Sequence, residues 1–157
     1  MESSKITHTI FDIQQKIKVE VIWSRYNDEV VTMLKSSCLN NLKKINDKLI
    51  EVNEHNVPGA YEIPVLAKNL ILRRQPDVII ALGAIIRGET AHFEIVANSC
   101  SHSLSSLSTS YGLPIIFGVL TVENIEQAIF RADPNKGDKG GEAAYTAIEM
   151  VQKIRTF

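Results

Sequence analysis

Asp77 to Glu94 reads DVIIALGAIIRGETAHFE, and this stretch decides the fold. Val78 to Ile86 is apolar except at Gly83, rich in Ile and Val, and of strand length. Such a run suits a strand buried on both faces of a parallel sheet. Arg87, Gly88, Glu89, Thr90, Ala91 and His92 interrupt it, and a new rhythm then begins at Phe93, Val96, Ala97, Cys100, Leu104, Leu107 and Tyr111. Gaps of three and four residues place these on one face of a helix. The order is therefore strand, tight polar turn, helix. In an open α/β sheet that turn lies beyond the carboxyl end of the strand, where ligands bind. Gly88 lets the backbone come close to a ligand. The first amides of the helix point outward and favour an anion. His92, on the first turn beside Arg87 and Glu89, can move protons near neutral pH.

The same alternation extends in both directions. Ile17 to Ser24 (IKVEVIWS) is the first strand, with Arg25, Tyr26 and Asn27 at its outlet. Asn27 is placed to cap the next helix, and Asp28 and Glu29 complement its dipole. Val30, Val31, Leu34, Cys38, Leu39, Leu42 and Ile45 form its inward face. Asp47 to Val52 reads as a short second strand. Val57 to Pro64 (VPGAYEIP) is a rigid loop running into a helix, with Pro64 in the first turn. That helix carries Ile63, Leu66, Ala67, Leu70 and Ile71 and ends at Gln75-Pro76.

Gly112 and Pro114 stop the helix that begins near His92. Pro114 to Leu120 (PIIFGVL) is the fourth strand. Thr121 is placed to cap a helix carrying Ile125, Ala128 and Ile129. Arg131 to Gly141 reads as a turn, and the last helix buries Ala143, Ala144, Ala147, Ile148 and Val151. Met1 to Lys16 is weakly periodic, since Ile6, Ile10 and Phe11 are too few to anchor a helix. Residues 1–17 read as an arm that pairs after assembly, and residues 18–157 as a single α/β domain with one parallel sheet covered on both faces.

Composition removes several classes of function. A length of 157 residues with 45% hydrophobic and 22% charged residues fits one globular domain with a real core. A formal net charge of −1 gives no electrostatic footprint for nucleic acid. No apolar run approaches the ~20 residues of a membrane helix, and residues 1–17 lack a signal-peptide core, so a cytoplasmic location is expected by default. Cys38 and Cys100 fall on apolar helix faces and read as core thiols without metal-ligand spacing. No Walker motif, no G-x-G-x-x-G after the first strand and no G-x-S-x-G elbow occurs.

The strand outlets gather Tyr26, Asn27, Tyr61, Glu62, Arg87, Glu89, Thr90 and His92 at one end of the sheet. Taken singly, each has a plainer reading. His92 could be a surface histidine, Tyr26 a partly buried core ring, and Lys139 a solvated lysine. Arg131 fits a phosphate clamp and a cation near a helix C-terminus equally well. His8, His55 and His102 lack the strand-end setting and are expected to be solvated. The residues alone yield an α/β domain with a phosphate-compatible pocket holding a histidine.

Three long segments in register add a resemblance. VPGAYEIP (Val57–Pro64), ALGAIIRGETAHF (Ala81–Phe93) and IIFGVLTVENIEQAIFRA (Ile115–Ala132), followed by GDKG (Gly137–Gly140) and IEM (Ile148–Met150), resemble the lumazine synthase family. The resemblance covers nearly everything after Lys18. It implies a three-layer, flavodoxin-like α/β/α sandwich with a four-stranded parallel sheet. It also implies condensation of 5-amino-6-(D-ribitylamino)uracil with 3,4-dihydroxy-2-butanone 4-phosphate, releasing phosphate and water, without cofactor or metal, as the penultimate step of riboflavin biosynthesis.

Carried over position by position, the resemblance implies that Tyr26 stacks on the pyrimidine. Ala60, Tyr61 and Glu62 would hold the ribityl chain, and Ala84, Ile85 and Ile86 would meet the ring through backbone groups. Gly88, Glu89 and Thr90 would bind the phosphate sugar, with His92 transferring protons. Phe117, Arg131 and Lys139 would reach in from a neighbouring subunit of a homopentamer. Assembly of pentamers into an icosahedral shell, and partnership with riboflavin synthase, stay open. Two departures stand out: Tyr26 replaces the family's usual Phe or Trp, and Asp133-Pro134-Asn135 replaces its usual Gly-Thr-Lys. The alternatives to an enzyme are a module that holds a flavin or lumazine without turnover, and a purely structural shell subunit.

Overall fold

The computed structural model describes residues 11–157. Ile6, His8, Ile10 and most of the expected arm lie outside them. Strand β1 (Ile17–Ser24) leads into helix α1 (Asp28–Asn46), β2 (Ile50–Val57) and, after a 3-10 turn at Ala60–Glu62, α2 (Ile63–Arg74). Then come β3 (Val78–Ile86), α3 (His92–Tyr111), β4 (Ile115–Val122), α4 (Ile125–Ala132) and α5 (Lys139–Ile154). The four strands are parallel in the order β2-β1-β3-β4. This is a three-layer α/β/α sandwich of the flavodoxin-like kind.

Strand alternation divides the core. Val78, Ile80 and Leu82 of β3 point to one face, with Cys38 and Leu42 of α1 and Ala144, Ala147 and Ile148 of α5. Ile79, Ala81 and Ile85 point to the other, with Ile63, Ala67 and Leu70 of α2 and Cys100 and Leu104 of α3. β3 is therefore covered on both sides, which is what its unbroken apolar run requires. The single interruption, Gly83, has a steric cause: a Cβ there would lie 2.7 Å from the buried Ser24 Oγ on β1. Burial also raises the Cys38 thiol to about 12 and the Cys100 thiol to about 11, so both are core thiols.

Four local readings are corrected. β2 runs from Ile50 to Val57, not from Asp47 to Val52, because residues 47–49 form a turn in which Asn46 Oδ1 accepts from the Lys48 and Leu49 amides. The strand continues through Asn53, Glu54, His55 and Asn56 because it is an edge strand with one side open. His55 is not solvated: its Nε2 lies 2.5 Å from Oε2 of Glu20, a carboxylate only 2% exposed that also accepts from Arg74 Nε at 2.9 Å.

Thr121 belongs to β4, and the cap of α4 is Asn124, whose Oδ1 accepts from the Gln127 amide at 2.9 Å. Asn124→Ala should therefore cost about 1 kcal/mol in a urea denaturation, and Thr121→Ala less than about 0.5. The expected turn from Arg131 to Gly141 is shorter, since Arg131 completes α4 and Lys139 opens α5. At the other end, Phe11 packs beside Tyr145 of α5 with ring centroids 6.2 Å apart, and Ile13 is buried. The Arg155 guanidinium donates to the Lys16 carbonyl at 2.7 Å. The described end of the arm thus lies against its own domain.

Candidate active site

Beyond Trp23 and Leu82 the hydrogen-bonded ladder between β1 and β3 ends. β1 then leans to β2, with Arg25 N–H donating to the Val57 carbonyl and Tyr26 N–H to that of Pro58. A crevice opens between the carboxyl ends of β1 and β3, at the point where strand order reverses. Ligands bind open α/β sheets at such a point.

Tyr26, 69% exposed, stands at this crevice with its ring laid over Gly59, where a Cβ would meet Tyr26 Cδ2 at 2.9 Å. The glycine of VPGAYEIP therefore seats the ring. Glu62 folds back so that its Oε2 accepts from the Gly59 amide at 2.9 Å, which tightens the turn carrying buried Ala60 and exposed Tyr61. Ala84 and Ile85 are buried at the end of β3 and Ile86 is half-buried, so this segment offers a ligand mainly backbone.

Residues Gly88 to His92 are all exposed. A Cβ on Gly88 would meet nothing within 4 Å, so no packing among the described residues requires a glycine there. That fits a backbone kept open for something outside the chain. His92 is the first residue of α3, and the helix has no capping side chain at Ala91. Its first-turn amides stay available to an anion, with only a long 3.4 Å contact from His92 N–H to Thr90 Oγ1. Arg87 is not a free cation. Its guanidinium pairs with Glu94 and, at 2.6 Å, with Glu123, and lies 4.2 Å from the Phe93 ring centroid. Hydrogen bonds to Glu94 and then Glu123 raise its pKa, and the same contact holds Glu94 below the usual carboxylate range. Arg87 thereby anchors the start of α3 to the start of α4.

Phe117, Arg131 and Lys139 are elsewhere. Phe117 pairs with Ala81, three residues before Ala84, on the exposed edge strand β4. All three line an open groove of about 580 Å³ between β4, α4 and α5, whose lining includes none of Tyr26, Tyr61, Glu62 or His92. Arg131 is exposed and makes no ion pair among the described residues, whereas Lys139 Nζ donates to Glu142 at 2.5 Å. Among the described residues, then, the groove with its ring and unpaired guanidinium shares no lining residue with the group formed by Tyr26, Tyr61, Glu62 and His92 at the strand outlets. Among the described residues, no group of His, Cys, Asp and Glu could hold a metal, and no helix is long and apolar enough to cross a membrane.

Reading the sequence missed two features. The Glu20–His55–Arg74 cluster, toward the other end of the sheet, was signalled by an acid flanked by valines in β1. The contact made by Asn27 had no signal beyond its position at a strand outlet. The profile of the family described as 6,7-dimethyl-8-ribityllumazine synthase matches residues 16–155 of this chain.

Proposed function

Because this chain belongs to the 6,7-dimethyl-8-ribityllumazine synthase family, a transferase family of riboflavin biosynthesis, we propose that its reaction is carried by two half-sites joined across a subunit boundary. The observation behind this is the arrangement just described: His92 and Tyr26 sit at the strand outlets, whereas Phe117 on β4 and Arg131 on α4 line a groove that includes neither of them. A second copy docked by its β4 edge would complete the pocket. Such a head-to-tail contact closes into a ring when the rotation allows, and a homopentamer is the closed form proposed here. The exposed apolar side chains Val65, Leu72, Ile95, Ile125 and Phe130 give an interface material to bury.

In this reading Tyr26 stacks on the pyrimidine of 5-amino-6-(D-ribitylamino)uracil. Ala60, Tyr61 and Glu62 hold the ribityl chain, and the backbone of Ala84, Ile85 and Ile86 meets the ring edge. Gly88, Glu89 and Thr90 bring amides to 3,4-dihydroxy-2-butanone 4-phosphate. Arg131 of the neighbouring copy grips the phosphate, Lys139 lies beside it, and Phe117 closes over the ring. The amine attacks the ketone and forms an imine with loss of water. Phosphate is then eliminated to leave an enol, which tautomerises to a ketone; the ribitylamino nitrogen attacks that ketone, and the ring closes with loss of a second water. Each step moves a proton, which suits an imidazole. A guanidinium and helix-start amides stabilise the departing phosphate. Holding two substrates in register supplies a further share of the rate.

The test is formation of the fluorescent lumazine from the two substrates by purified protein. A protein that binds the pyrimidine but forms no product would instead be a binding module. His92→Ala should lower kcat by about 10- to 100-fold, the low end for general acid–base catalysis because proximity remains, while particle size by light scattering stays that of the parent. Unchanged kcat would assign proton transfer to another group.

A further inference from the structure

Asn27 occupies the position before α1, yet it does not cap that helix. Its backbone is left-handed, with φ 59° and ψ 46°, and its side chain makes no capping hydrogen bond. Asparagine tolerates this region better than most side chains. The amide instead crosses the crevice: Nδ2 donates to the carbonyl oxygen of Ala84 at 2.8 Å, joining positions 57 residues apart.

The place of this bond gives it meaning. The β1–β3 ladder has already ended at Trp23 and Leu82, so at Ala84 no strand remains on that side to occupy the carbonyl. Arg87 N–H donates to Val122 of β4. Because backbone groups alternate in direction along a strand, Ile85 also faces β4, while Ala84 and Ile86 face the crevice. Of these two crevice-facing residues, Ala84 has its carbonyl taken by Asn27. Of the three residues given to the ring edge above, Ile86 alone keeps both its amide and its carbonyl directed at the crevice. Asn27 is also the immediate neighbour of Tyr26, so one side chain fixes both the stacking ring and the backbone edge opposite it.

We propose that Asn27 is a positioning and specificity-determining residue for the pyrimidine substrate, acting by clamping the β1 outlet to Ala84 and leaving Ile86 as the backbone edge that reads the ring. The proposal rests on the pyrimidine binding in this crevice, as set out above. Without the clamp the ring of Tyr26 and the end of β3 would separate, whereas the groove bearing Arg131 would be unaffected. The two substrates should therefore respond differently to its loss.

Two variants separate this from a folding role. Asn27→Gly accepts the left-handed backbone but has no amide. Asn27→Asp keeps size and shape and turns a donor into an acceptor that faces a carbonyl. In the two-substrate assay, both should raise the KM for 5-amino-6-(D-ribitylamino)uracil about tenfold, the equivalent of one good hydrogen bond. The KM for the butanone phosphate should stay within about twofold, because its ligands do not touch the clamp, and particle size should match the parent. An active parent whose Asn27→Gly variant keeps both KM values, or raises both alike, overturns the clamp while leaving the site assignment standing. A parent that forms no lumazine overturns the site assignment and the clamp with it.

Discussion

Replacing Arg131 by alanine is expected to raise the KM for 3,4-dihydroxy-2-butanone 4-phosphate by about 10²-fold, with a far smaller effect on the pyrimidine. The guanidinium is exposed on the last turn of α4 and engaged by no carboxylate among the described residues, so its removal leaves no buried partner stranded. The loss should be the phosphate contact itself, about 3 kcal/mol for charge-assisted hydrogen bonds. Steady-state kinetics with each substrate varied in turn reads the difference. An unaltered dependence on the phosphate substrate would remove the clamp. The same variant tests whether sites are shared. Arg131→Ala and His92→Ala subunits damage opposite halves, so co-assembly in equal amounts should give fully intact pockets at about one boundary in four. Activity recovered to that level requires a composite site; none recovered from properly mixed assemblies would place both residues in one pocket.

Gly140→Ala should be the most damaging single methyl in the domain. A Cβ there would run into the carbonyl oxygen of Leu34 on α1 and lie 2.9 Å from its carbonyl carbon. The obstacle is backbone, which cannot swing aside as a side chain could. α5 would have to lift from α1 along the seam where Ala144 and Ala147 pack, and the Asp138 carboxylate that caps α5 would lose its hold on Ser37 of α1. Alanine gains about 1 kcal/mol of helix propensity over glycine, and overpacking against backbone outweighs it, for a net loss of about 3 kcal/mol. In a chain of this size that lowers the thermal midpoint by roughly 6–12 °C, readable by far-UV circular dichroism. A midpoint at or above that of the parent would mean that α5 is not seated as described.

Those glycines also show where the sequence was legible. β3 and the start of α3 could be read to the residue, because a strand covered on both faces must be apolar throughout and the switch to helical spacing is abrupt. Lys139-Gly140-Gly141 looked like a turn for want of knowing what packed on it: the glycines are there for the approach of α5 to α1, a contact with a residue a hundred positions away. β2 was misplaced for the opposite reason. An edge strand carries polar residues, so IEVNEHNV has almost no period-two signal. The crevice was legible from topology, since strand outlets gather wherever parallel strands are joined by helices. The groove was not. Nothing in the local pattern sets Phe117 apart from its apolar neighbours on β4, and the role proposed for it comes from the resemblance alone.

The buried acid on β1 bears on that featureless strand. β2 turns Glu51, Asn53, His55 and Val57 toward α2, and Val57 is the only hydrocarbon among them, so on that face greasiness says little about how it is threaded, although Ile50 and Val52 pack into the core on the other. Glu20 supplies the missing instruction, because His55 and Asn53 both reach it and Arg74 closes over it. A slip by one residue would turn the imidazole to the opposite face and leave a sequestered negative charge half-answered, a penalty no aliphatic side chain could impose. The carboxylate thus acts as a lock-and-ward for chain alignment, and a leucine in its place could pack as tightly while letting the strand find the wrong notch.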